Sequence, residues 1–269
     1  MDVIVGVWSC LICLPICFDV SIPEVAYWAL PLSTWAIYLT DHLIDVFRNK
    51  NEYPTPRHQF IRKYFRLIIV LIIILSLVDL YLLIKEFNTL IFFSGIALVI
   101  FVLLHFILVR INPQIKSFIN NKEFAVASIY SSGVYFAPLF MLYSEGRNCV
   151  IPMLCFLMFF TLALINLLMV SIIEFDYDKQ MGNTSWVISI SKPKAGKIFF
   201  ILVAIVIISG LVAIPFINEN EKLLAIVYQL MAIGHFAIFM NKQNLKHYLA
   251  YRKLSEILFW LPGLVFFLI

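Results

Sequence analysis

Apolar runs separated by short polar breaks recur from one end of the chain to the other. They fall at 3–18, 24–47, 66–84, 88–109, 123–143, 150–175, 197–216, 222–241 and 253–269. Many approach the roughly 20 residues an α-helix needs to cross about 30 Å of hydrocarbon. The breaks carry helix-ending residues: Pro23, Tyr53-Pro54-Thr55-Pro56, Asn112-Pro113, Gly146, Gly182, Lys192-Pro193 and Asn218 to Asn220. No break is long enough to hold a second domain. The pattern predicts one all-α domain over 1–269, a polytopic membrane protein built as a bundle of nine transmembrane helices.

Composition narrows the class. With 62% hydrophobic and 13% charged residues and a mean hydropathy of +0.96, the chain lacks the polar surface of a soluble domain, which has about 25% charged residues. The first run follows Met1-Asp2 without a basic flank, so it reads as a retained helix and not a signal peptide. The net charge of +4 is spread over several loops and gives no nucleic-acid footprint. Cys10, Cys13 and Cys17 sit at helical spacing inside an apolar run and read as small core residues.

The basic residues alternate with the loops. Arg48 to Arg66, Arg110 to Lys122, Lys179 to Lys197 and Lys242 to Lys253 hold 17 of the 20; Lys85, Arg147 and Lys222 are the rest. The positive-inside rule then predicts a cytoplasmic N-terminus and an outside C-terminus. The location that goes with this is a bacterial inner membrane.

Two acidic motifs stand out, each at the cytoplasmic end of a run. In the first, Asp41, Asp45 and Asn49 follow at i, i+4, i+8 with His42 beside them, so a helix lines them up as one stripe. In the second, Glu174 and Asp178 share a face, with Asp176 between. Acids at a helix C-terminus oppose the macrodipole, and like charges at i, i+4 repel. At membrane depth each carboxylate costs a further ~2.5–3.5 kcal/mol on insertion scales. One such cluster is compatible with a solvated helix end; two on helices of one direction suggest a shared cation. Oxygen ligands with open positions suit Mg²⁺ bridging to a phosphate-bearing substrate. Arg48, Arg110, Lys116, Lys122 and Lys179 on the same side are candidates for the remaining phosphate oxygens.

Together the motifs resemble those of the UbiA superfamily of intramembrane prenyltransferases, whose members have nine helices and two aspartate-rich motifs. Asp41, His42, Asp45 and Asn49 match the first motif, with His42 and Asn49 where Asp is usual. Glu174 and Asp178, then Gly182 and Thr184-Ser185, match the second. Lys122-Glu123 opening the fifth run also has a familiar look. The resemblance implies Mg²⁺-dependent transfer of an isoprenoid chain from a prenyl diphosphate to a lipophilic, possibly aromatic acceptor in the bilayer. Asp41, Asp45, Glu174 and Asp178 would be the catalytic carboxylates and metal ligands, joined by Asn49 and Asp176. Ionisation without an acceptor would make a terpene cyclase, and a cation-coupled transporter is the non-enzymatic alternative.

Of the other polar residues inside the runs, Asn166 reads as an interhelical hydrogen-bonding group, His105 and His235 as satisfied core histidines and Asp79 as a snorkelling carboxylate, while Tyr130, Ser131, Ser132 and Tyr135 form a patch that either lines a cavity or packs.

Overall fold

The computed structural model describes residues 2–48, 56–85, 89–111, 122–180, 185–245 and 250–268. Among these the fold is all-α. Helices α1 (Asp2–Phe18) and α2 (Ala26–Arg48) precede α3 (Pro56–Lys63), α4 (Phe65–Lys85) and α5 (Thr89–Ile111). Next come α6 (Lys122–Ser144), α7 (Val150–Ile173) and the short α8 (Phe175–Gln180) and α9 (Trp186–Ile190). The chain continues through α10 (Lys192–Ala213), a 3₁₀ turn, α11 (Glu219–Met240), α12 (Lys242–Leu245), α13 (Ala250–Leu258) and α14 (Pro262–Val265).

Local chemistry sets the helix ends. Gly146 takes φ +68° after α6, with Arg147 N–H bonded to Leu142 O and Gly146 N–H to Tyr143 O, each at 3.0 Å. That pair of bonds is a Schellman cap, and its left-handed residue favours glycine. Asp19 ends α1 the same way at φ +50°, through Val20 N–H to Pro15 O at 2.9 Å. The Arg147 guanidinium donates to the Phe18 and Asp19 carbonyls and ties these two ends together. Asn218 and Glu221 form a reciprocal capping box at the start of α11, with bonds of 2.8 and 3.0 Å.

At the centre lies α7. It packs against α6, α10 and α11, and Phe159, Leu162, Ile165, Leu168 and Met169 are fully buried on it. Tyr135 of α6 and Tyr228 of α11 meet across the bundle with their hydroxyls 2.5 Å apart, and both rings lie against Phe159. The C-terminal segment closes on α1 and α11 through small residues. A Cβ on Gly6 would stand 3.0 Å from Phe259 Cβ, and one on Gly234 only 2.7 Å from Leu258.

The nine-span bundle does not hold. Among the described residues five helices are long and apolar enough to cross a membrane: α4, α6, α7, Lys192–Phe216 and α11. Helix α1 is 17 residues long and stops at the Asp19 turn. Although α2 is 23 residues long, Asp41, His42, Asp45 and Arg48 occupy its last two turns and dilute its apolar character. Helix α5 is apolar along most of Thr89–Ile111, but the side chains of residues 105–111 lie outside the described residues. The last run breaks between Leu258 and Pro262 into i→i+3 turns, because Pro262 has no N–H to continue the helix. Five long apolar helices remain consistent with a lipid-embedded, multi-pass protein.

Candidate functional site

Both acidic motifs come to the same end of the bundle, opposite the Arg147 tie. The first is carried by the last turns of α2. Asp41, half-buried, lies 3.5 Å from the Nζ of Lys122, the first residue of α6. His42 packs edge-on against Tyr38, ring centroids 4.4 Å apart. Asp45 and Arg48 continue the same helix, and Arg110 lies in the last turn of α5; the side chains of all three lie outside the described residues, as do Asn49 and Lys116 entirely.

The second motif straddles a break in helical structure. Glu174 caps α7, its N–H still bonded to Val170 O, and Asp178 N–H bonds Glu174 O, both at 2.9 Å, so the i, i+4 relation survives the bend. The Glu174 side chain is 14% exposed. The Arg252 fork from α13 grips it, Nε to Oε1 at 2.6 Å and Nη2 to Oε2, and the Tyr251 hydroxyl donates to Oε1. Burial opposes the Arg252 charge, and the Glu174 carboxylate more than offsets it, holding the guanidinium above its usual range. Burial, then the Glu174 charge, pushes the Tyr251 hydroxyl up, which keeps it a proton donor. Asp176 is exposed and pairs with Lys192 Nζ at 3.0 Å. Asp178 is half-buried and Lys179 exposed on α8.

One dipeptide joins the two motifs. Beside Lys122, Glu123 is buried at 5% exposure. It accepts from the Ser171 hydroxyl at 2.7 Å, one turn before Glu174, and from the Trp186 N–H at 3.1 and 3.2 Å. Trp186 opens α9, so its N–H has no partner within that helix and the carboxylate supplies one. Glu123 thereby fixes both ends of the segment that carries the second motif.

These partners decide how the acids fit a divalent ion. Asp41, Glu174 and Asp176 each face a base, and among the described residues no three His, Cys, Asp or Glu side chains come together as a metal-binding group. As arranged, Asp41, Glu174 and Asp176 are ion-paired with Lys122, Arg252 and Lys192.

Sequence reading missed Arg252, Tyr251 and Lys192. The signal that could have found them is the charge balance, since acids set against two helix C-termini require bases. Of the remaining candidates, Asp79 accepts from the Ser33 hydroxyl, an α4–α2 link. His235 is fully buried, its Nδ1 2.8 Å from Met231 O. The buried Oδ1 of Asn166 has no hydrogen-bond partner among the described residues.

No family model, curated protein or solved structure matches the chain.

Proposed function

We propose that this protein transfers an isoprenoid chain, within the membrane, from a prenyl diphosphate to a lipophilic acceptor. One arrangement carries the reading: two acidic motifs and a set of bases meet at one end of an otherwise apolar bundle. A diphosphate needs charged partners and its polyisoprenoid tail needs hydrocarbon surroundings; such an end supplies both. The motifs' resemblance to the UbiA superfamily points the same way. In the proposed reaction the bond between the allylic carbon and the diphosphate oxygen breaks, and the diphosphate leaves with both electrons. The acceptor then bonds to that carbon and releases a proton. Lys122 and neighbouring bases stabilise the departing charge, an effect that strengthens where water is excluded. Magnesium enters the reading as an ion that accompanies the diphosphate, since Asp41, Glu174 and Asp176 already face bases. The motif end, which holds Lys122, Lys179, Lys192 and Arg252, faces the cytoplasm in this proposal.

The test is to incubate the purified protein and Mg²⁺ with prenyl diphosphates of several lengths, with and without a membrane lipid extract, and to identify products by mass. Prenylated lipid or quinone-type products are expected. A cyclic hydrocarbon formed without extract would replace transfer by cyclisation. No turnover of any prenyl diphosphate would remove the proposal.

A further inference from the structure

Helix α3 runs into α4 at Tyr64. Bonds of 3.0 Å from Tyr64 N–H to Phe60 O and from Ile68 N–H to Tyr64 O carry the helical spacing across the joint. Ile61 and Ile68, seven residues apart, are buried in one cluster with Val46 of α2, so both helices turn the same side to the protein. Helical spacing puts Lys63 and Arg66 roughly opposite those two isoleucines. The two bases are exposed, and they head a stripe of Leu67, Val70, Ile74 and Leu77 that is exposed along its length. Aromatic rings support them: Lys63 Nζ stands 5.2 Å from the centre of the Tyr64 ring and the Arg66 guanidinium 5.6 Å from that of Phe65, with Phe60 4.8 Å from Tyr64. A ring holds a base in place without neutralising it. The sequence from Pro56 to Val78 contains no acid, and among the described residues neither Lys63 nor Arg66 has an ion-pair partner.

We infer that this surface is a binding site for an anionic phospholipid: Lys63 and Arg66 take the headgroup phosphate, and an acyl chain lies along Leu67, Val70, Ile74 and Leu77. The level of the bases decides the class of ligand. Arg66 adjoins Leu67, where the apolar run of α4 begins, and Lys63 stands one turn before it. Only 11% of the most apolar window of that helix is buried in protein, so lipid meets it along most of its length. Its first turn then falls where headgroups begin, the level that Tyr and basic side chains favour. An acidic protein or a soluble phosphate would satisfy the two bases but not the apolar stripe below them. A phospholipid satisfies both. Arg66 offers the phosphate a planar fork and Lys63 a point charge. The choline of phosphatidylcholine already neutralises its own phosphate, whereas phosphatidylglycerol keeps a net negative charge, so the site selects the anionic lipid. The site is turned away from the α2 cluster and does not depend on the prenyl diphosphate reading.

The experiment places the full chain in phosphatidylcholine nanodiscs with a trace of photoactivatable phosphatidylglycerol. Unlabelled phosphatidylglycerol is titrated in as competitor, and cross-linked peptides are mapped by mass. Labelling within residues 60–77 that the competitor abolishes is expected, well above that from a photoactivatable phosphatidylcholine. The double variant Lys63→Gln with Arg66→Gln should weaken the apparent affinity by about 30-fold, from roughly 5-fold per base at an anionic surface. Lys85→Gln, at the other end of α4, should leave it unchanged. If the double variant does not fold, the wild type decides, because added salt has to weaken a contact between charges at the surface. Labelling that ignores salt overturns the site. So does equal labelling by the two lipid probes, or an unchanged affinity in the folded double variant. Free glycerol phosphate is expected not to compete; competition at the concentrations at which the lipid competes would overturn the lipid in favour of a soluble phosphate.

Discussion

Helices α4 and α7 are both long, apolar and free of charge over most of their length, yet they occupy opposite situations. In the most apolar window of α4, 11% of residues are buried against the rest of the protein; in that of α7 the figure is 50%. Apolar character does not set how much of a helix is packed. In a bilayer that is expected, because lipid tails are as apolar as leucine and exert no pressure to bury a helix in protein. What holds α7 is shape: Phe159 is fully buried among Tyr130, Tyr135, Tyr228 and Phe259. What ties α4 to its neighbour α2 is polar contact as well as packing: the Asp79–Ser33 bond and, towards the other end of the pair, the apolar cluster of Val46, Ile61 and Ile68.

The comparison breaks if truncations on the two helices cost the same. Phe159→Ala should destabilise the protein by about 3–5 kcal/mol, the range for emptying a large aromatic from a core, read as a shift in the unfolding midpoint in mixed micelles. Next in size is Tyr228→Phe, which leaves the Tyr135 hydroxyl without its partner and should cost about 1–3 kcal/mol. The double change Tyr135→Phe with Tyr228→Phe should recover most of that, since removing both groups leaves neither unmatched; a simple sum of the two losses would contradict the pairing. Leu77→Ala on α4, at a position 60% exposed, should stay within ~0.5 kcal/mol. A loss there as large as that of Phe159→Ala would mean that α4 is covered by protein in the membrane.

The same contrast explains what the sequence could and could not convey. Apolar runs located the long helices, and helical spacing put Asp41, Glu174 and Asp178 at helix ends. The runs did not count spans, because run length ignores what interrupts a helix: the charges in the last turns of α2, the Asp19 turn after α1 and the Pro262 break. Partners were less legible still. Arg252 meets Glu174 from 78 residues away, and Glu123 meets Ser171 and Trp186 across 48 and 63. No periodicity encodes such pairs; they follow from which helices α7 touches. In the sequence Glu123 stood only beside Lys122 at the opening of the fifth run; the Ser171 hydroxyl and the α9 N-terminus give its carboxylate a reason to be buried.

Glu123 also imposes an order on assembly. Its carboxylate is the second residue of α6, but the Trp186 N–H that satisfies it is made 63 residues later. At about 5–20 residues per second of synthesis, that interval is roughly 3–13 s. Until then a carboxylate destined for the interior has to remain hydrated, so the start of α6 stays at the water interface while α7 is produced. The segment carrying the second acidic motif is therefore what completes the hydrogen bonding at the start of α6, and the two motifs are joined through Lys122-Glu123 in the same event that lets Glu123 leave water.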